Sequence, residues 1–136
     1  MTGQLYRVLI TGSREWHDEG TLYGALQTQW TIAQGAGKSL MVIHGAARGA
    51  DTLASEWAAS VGLPGIFQMA YPAEWERYGQ RAGFERNQKM VDDGADVCLA
   101  FVIKSPGKSK GTRDCMRRAK KAGIPIIEHT QGAIRG

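Results

Sequence analysis

Leu5-Tyr6-Arg7-Val8-Leu9-Ile10-Thr11-Gly12-Ser13-Arg14 is an apolar run that ends in a short, basic glycine turn, and the residues after it read as a helix. The same succession comes twice more. His44-Gly45-Ala46-Ala47-Arg48-Gly49-Ala50-Asp51 closes the apolar run at 40–44, and Lys108-Ser109-Lys110-Gly111-Thr112-Arg113-Asp114 follows the run at 97–103. A strand that passes through a tight turn into a helix leaves unpaired backbone N–H groups at the positive end of a helix dipole. Such a turn attracts anions. Three of them along one edge of a parallel sheet suit a phosphorylated ligand such as a nucleotide.

Outward from these turns, strand and helix alternate along the chain. Strand candidates lie at 5–10, 40–44, 65–69, 97–103 and 125–128. Their apolarity is continuous rather than alternating, as in parallel strands covered on both faces. Between them Leu22, Ala25, Leu26 and Trp30 recur at helical spacing, as do Leu53, Ala54, Trp57, Ala58 and Val61. Met90 follows Arg86 by four residues, and Cys115, Met116 and Ala119 give the last helix one apolar face. Gly62 and Gly123 stand where helices stop, each with a proline two residues on.

The pattern predicts an α/β, Rossmann-like three-layer sandwich with a five-stranded, mostly parallel sheet and right-handed crossovers. If the first and fourth strands are neighbours, the order is 3-2-1-4-5, and ligands bind in the crevice at their carboxyl ends. A chain of 136 residues, 43% of them hydrophobic, fits one domain spanning 1–136, with 132–136 as a frayed tail.

Composition narrows the function classes. No apolar run approaches the roughly 18 residues of a membrane span, and the N-terminus lacks a signal-peptide pattern. Cys98 and Cys115 match no ligand spacing and suggest a reduced, cytoplasmic setting. His17, His44 and His129 are scattered, so no metal or further cofactor is implied. The net charge of +4 and pI near 9.3 permit an anionic partner without demanding one. Arg117, Arg118, Lys120 and Lys121 fall in the last turns of the final helix, where cations complement the dipole or form a nucleic-acid patch.

Within the turns, each residue type has a chemical reason. Gly12 lets the backbone approach a ligand, Ser13 offers a hydroxyl to a ligand or to backbone amides, and Arg14 can grip a phosphate with two hydrogen bonds. Gly45 and Gly49 bracket a compact turn from which Arg48 projects. Asp51 is expected to cap the helix that follows. His44 has two roles open, to touch a ligand or to bond a neighbouring carbonyl. Arg86 shares the inward face of its helix with Met90, so its guanidinium needs an anion or a carboxylate such as Asp51 or Asp114. Arg77 and Arg81 read as its surface neighbours. Thr112 is the expected cap of the last helix, which places Asp114 in its first turn, for dipole reasons or for acid/base work. The loop Tyr71-Pro72-Ala73-Glu74-Trp75-Glu76-Arg77-Tyr78-Gly79 carries three aromatics that could stack on a base or ribose, or pack on the sheet edge.

With these residues in order, the chain resembles the SLOG superfamily, and most closely its YspA/YpsA-related branch. The shared segments are Thr11-Gly12-Ser13-Arg14-Glu15-Trp16, His44 through Asp51, Tyr71-Pro72 through Met90 with Arg86-Asn87, and Gly111-Thr112-Arg113-Asp114. The resemblance implies a Rossmann-like fold, a site for a nucleotide or nucleotide-derived ligand to which Asn87, Gly111 and Thr112 also belong, and self-association. A more distant similarity is to the LOG (Lonely Guy) phosphoribohydrolases, which release a base from a nucleoside 5′-monophosphate. It puts Arg86 on their catalytic arginine and Asp114 on the first acidic residue of their glycine turn. Here Ser109 and Lys110 replace the double glycine, and the shorter Asp114 replaces glutamate. A carboxylate displaced by about an ångström can lose roughly 100-fold in rate. The expected function is therefore nucleotide-ligand binding or sensing, with glycoside hydrolysis as the alternative. The DNA-processing protein DprA shares the superfamily and keeps single-stranded nucleic-acid binding open.

Overall fold

The structure is a computed structural model that describes residues 4–131. The expected tail at 132–136 and the first three residues of the N-terminal reading lie outside them. Five strands form the sheet: β1 (Leu5–Gly12), β2 (Ser39–His44), β3 (Ile66–Ala70), β4 (Val97–Ile103) and β5 (Ile126–Gln131). Their order is β3-β2-β1-β4-β5, and every neighbouring pair is parallel. The order expected with the first and fourth strands adjacent holds, and "mostly parallel" becomes wholly parallel.

Helices cover both faces: α1 (Glu19–Gly35), α2 (Ala50–Ser60), the single turn α3 (Trp75–Tyr78), α4 (Ala82–Asp93) and α5 (Lys110–Lys121). Val8 and Ile10 point to the α1–α2 side and join Leu22, Leu26, Trp30 and Trp57. Leu9, between them, points to the other face, with Met90, Cys115 and Ala119 from α4 and α5. All three strand residues are fully buried, which explains why these strands read as unbroken apolar runs. Among the described residues no helix is long and apolar enough to cross a membrane.

Local chemistry corrects the sequence reading in three places. Asp51 does not cap α2: the N-cap is Gly49, and Asp51 lies in the first turn. Its carboxylate Oδ2 reaches back instead to accept from the N–H groups of Gly45 (3.1 Å) and Ala47 (3.2 Å). Nor does Thr112 cap α5. That helix begins at Lys110 behind the N-cap Ser109, so Thr112 is already helical and Asp114 falls beyond the first turn. The aromatic segment after β3 is less of a loop than expected, because α3 and a 3₁₀ turn at Gly79–Arg81 occupy it. Four helical residues are too few to show periodicity in sequence.

Candidate functional site

Because β1 and β4 are neighbours while their following helices lie on opposite faces, a crevice opens at their carboxyl ends. A cavity of about 690 Å³ occupies it. Gly12, Ser13 and Arg14 from the first turn, Arg48 and Asp51 from the second, and Gly111 and Thr112 from the third all line this cavity, together with Arg86 and Asn87 of α4. His44, Gly45, Gly49 and Asp114 do not line it. Gly45 lines an adjoining recess of about 470 Å³ shared with Arg14, Arg48 and Arg86.

The turns interlock through glycine. Gly49, at φ 79°, lies so close to the first turn that a Cβ there would come within 2.5 Å of the Arg14 backbone. A Cβ on Gly12 would collide with that of Ala50. The Ala50 N–H donates to Ser13 O (3.3 Å), and the Ser13 N–H to Phe101 O (2.9 Å). The Ser13 hydroxyl donates to Lys108 O (2.8 Å) and accepts from the Glu15 N–H (3.1 Å), tying the first turn to the third.

Ser109, the N-cap of α5, turns its hydroxyl inward to accept from the Ile103 N–H (3.0 Å). It makes no side-chain cap, so the first N–H groups of α5 face the cavity uncapped by a side chain. Arg14 and Arg48 are exposed and form no ion pair among the described residues. Glu15 is paired with Lys108 at 2.8 Å, a contact that holds its carboxyl below the ordinary value.

Arg86 is the hub. Its Nε donates to Asn87 Oδ1 (3.0 Å), and its Nη1 donates to Gly45 O and to Tyr71 O (3.5 Å). Nη2 has no acceptor among the described residues. The ion pair considered for Arg86 with Asp51 or Asp114 is thus replaced by carbonyl and amide contacts, although the Asp51 charge still favours the guanidinium cation against its burial. Asp114 binds elsewhere: it accepts from Arg118 Nε (2.8 Å), Arg117 Nη2 (3.1 Å) and Asn87 Nδ2 (3.1 Å). Those two arginines, part of the basic run at the end of α5, thereby neutralise a buried carboxylate.

His44 bonds its protein neighbours. Its Nδ1 accepts from the Ala46 N–H (3.1 Å), so the ring proton sits on Nε2, which donates to Gln68 Oε1 (3.0 Å). Asp51 is the anomaly of the wall. It is buried, and its Oδ1 has no hydrogen-bond partner among the described residues. Burial raises its carboxyl above the ordinary 3.8, opposed by the Ala47 N–H, His44, Arg86 and the Gly45 N–H. A carboxyl whose folded value is raised supplies stability that is complete below about pH 4, where the unfolded chain is protonated too, and that is lost as pH rises through the folded value. Melting curves of Asp51→Asn and wild type should therefore diverge as pH climbs from 4 to 7, with the asparagine variant gaining. Parallel curves across that range would show that Asp51 is ionised throughout.

The cavity wall also holds residues that the sequence reading placed elsewhere or left open. Arg81, taken for a surface neighbour, lines the cavity, as does Trp75 of α3. Trp75 is one of the three aromatics for which stacking on a ligand and packing on the sheet edge were both open. Among the described residues no group of three or more His, Cys, Asp or Glu side chains could hold a metal.

Comparison with known proteins agrees with this architecture. Residues 6–78, which run from the second residue of β1 to the end of α3 and hold two of the three turns, match the model of the YspA, cpYpsA-related SLOG family (YAcAr). The chain is 48% identical over 123 residues to the "Gene 61 protein" of Mycobacterium phage D29, covering 89% of this chain and 94% of that one. No solved structure matches it significantly. With the family model covering more than half of the sequence, the chain belongs to the YspA, cpYpsA-related SLOG family.

Proposed function

We propose that this protein binds a nucleotide or nucleotide-derived ligand in the β1–β4 crevice and serves as a ligand-binding or sensing domain. One observation carries the reading: Arg14, Arg48 and Arg86 converge with the α5 N-terminus on one cavity of about 690 Å³. That volume suits a small organic ligand, and guanidinium groups and helix N–H groups are the donors that phosphate oxygens seek. The same arrangement favours binding over hydrolysis of a glycosidic bond. Asp114, the only acid the sequence offered for departure of the base, gives its oxygens to Arg117, Arg118 and Asn87. In this reading Asp114 holds Asn87, and Asn87 faces the ligand. A signal would pass through self-association or another chain.

Thermal melting against a panel of nucleoside mono-, di- and triphosphates tests this directly. At least one should raise the melting temperature, since a ligand at 100 times its Kd stabilises by about 2.7 kcal/mol. Arg14→Ala and Arg48→Ala should each weaken that ligand about tenfold and flatten its salt dependence, leaving the unliganded melting point nearly unchanged because both side chains are exposed. A panel without a single shift would end the proposal.

A further inference from the structure

Of the three aromatics in the segment after β3, two have protein partners. The Tyr71 hydroxyl donates to Asp93 at 2.6 Å, and the Arg77 guanidinium lies 5.1 Å from the centre of the Tyr78 ring. Trp75 has none. Trp75 is 51% exposed, whereas Trp16, Trp30 and Trp57 are 2%, 7% and 4% exposed. A large aromatic left half in water forgoes burial that the other three tryptophans obtain. Its position is not random. Trp75 stands at the junction of the main cavity and the recess that holds Arg14, Arg48 and Arg86. The indole edge and the unpartnered Arg86 Nη2 both border Gly83, where a Cβ would lie 3.9 Å from Trp75 Cη2 and 3.7 Å from Nη2.

We propose that Trp75 is a stacking platform for the ligand's heterocyclic base, so that the site distinguishes a nucleotide from a phosphorylated compound without a ring. The inference rests on the nucleotide reading above and adds to it the element that recognises the base. An apolar ring face beside a cluster of cations has one complementary partner, a flat aromatic group carrying anionic charge. Stacking is tolerant of sequence because every base has a π face, and purines offer the larger area. Gly83 leaves room beside the indole: any side chain there would reach into the space between Trp75 and Arg86.

The test compares ADP, GDP, CDP and UDP with inorganic pyrophosphate by calorimetry and tryptophan emission. With three of the four tryptophans buried, the solvent-exposed fraction of the emission belongs to Trp75. A bound base should quench that fraction, and iodide should lose access to it. Trp75→Ala should weaken the nucleoside diphosphates by about 5- to 150-fold while leaving pyrophosphate binding unchanged. Trp75→Phe, which keeps a ring, should retain most of the affinity but lose the quench. If nucleotides bind Trp75→Ala as tightly as wild type, the platform is refuted and the nucleotide reading survives. If neither nucleotides nor pyrophosphate bind the wild type, the underlying reading fails and this one with it.

Discussion

Replacing Gly49 with alanine should lower the melting temperature by more than about 10 °C, a loss of roughly 3–5 kcal/mol. Two costs add. The backbone at φ 79°, ψ −124° is a conformation that an L side chain adopts only under strain. Separately, the new methyl would fall within 2.5 Å of the Arg14 backbone, and a backbone cannot step aside as a flexible side chain can. Relief would require the β2–α2 turn to withdraw from the β1–α1 turn, breaking the Ala50 N–H bond to Ser13 O. Gly62→Ala is the control. That residue also has positive φ, at 59°, but its nearest neighbour is Ser60 O at 4.0 Å, so the change should cost only about 1 kcal/mol. Equal losses at the two positions would mean that the close approach of the turns has no energetic weight.

The same interlock shows what the sequence can and cannot disclose. The glycines of the turns were legible as turn residues, because a basic glycine cluster after an apolar run has few other uses. Their reason was not, since the obstacle to a side chain at Gly49 lies some 35 residues away in the first turn. The strands were legible because Val8, Leu9 and Ile10 are buried on both faces and leave no polar alternation. Their ends were less so: β1 extends through Thr11 and Gly12, and β5 through polar residues to Gln131, because pairing with β4 rather than apolarity sets those limits. Asp51 and Thr112 were misread as caps for one reason. Short polar side chains near a helix start favour capping on average, but Gly49 and Ser109 start these helices two and three residues earlier. The partners of Asp114 at i+3 and i+4 were within reach of helical spacing, whereas Asn87, the third, depends on how α4 packs against α5. Membership of the SLOG family fixes none of these side-chain details.

Arg86→Ala should weaken a bound nucleotide by about 10- to 100-fold and destabilise the unliganded protein as well. Its guanidinium joins three segments that are far apart in sequence: the turn after β2 through Gly45 O, the segment after β3 through Tyr71 O, and α4 itself through Asn87 Oδ1. Truncation leaves Gly45 O and Asn87 Oδ1 without that donor and takes the nearby positive charge from Asp51, which burial already disfavours as an anion. Lysine is the informative replacement. It keeps the charge beside Asp51 but lacks the planar fork that holds Asn87 and Gly45 together while presenting Nη2 to the cavity. Arg86→Lys should therefore recover part of the melting temperature and little of the affinity. The two effects must separate in this way if Arg86 both builds the wall and contacts the ligand. Should Arg86→Lys bind the nucleotide within threefold of wild type, the fork is not what the ligand meets, and the charge alone accounts for the site.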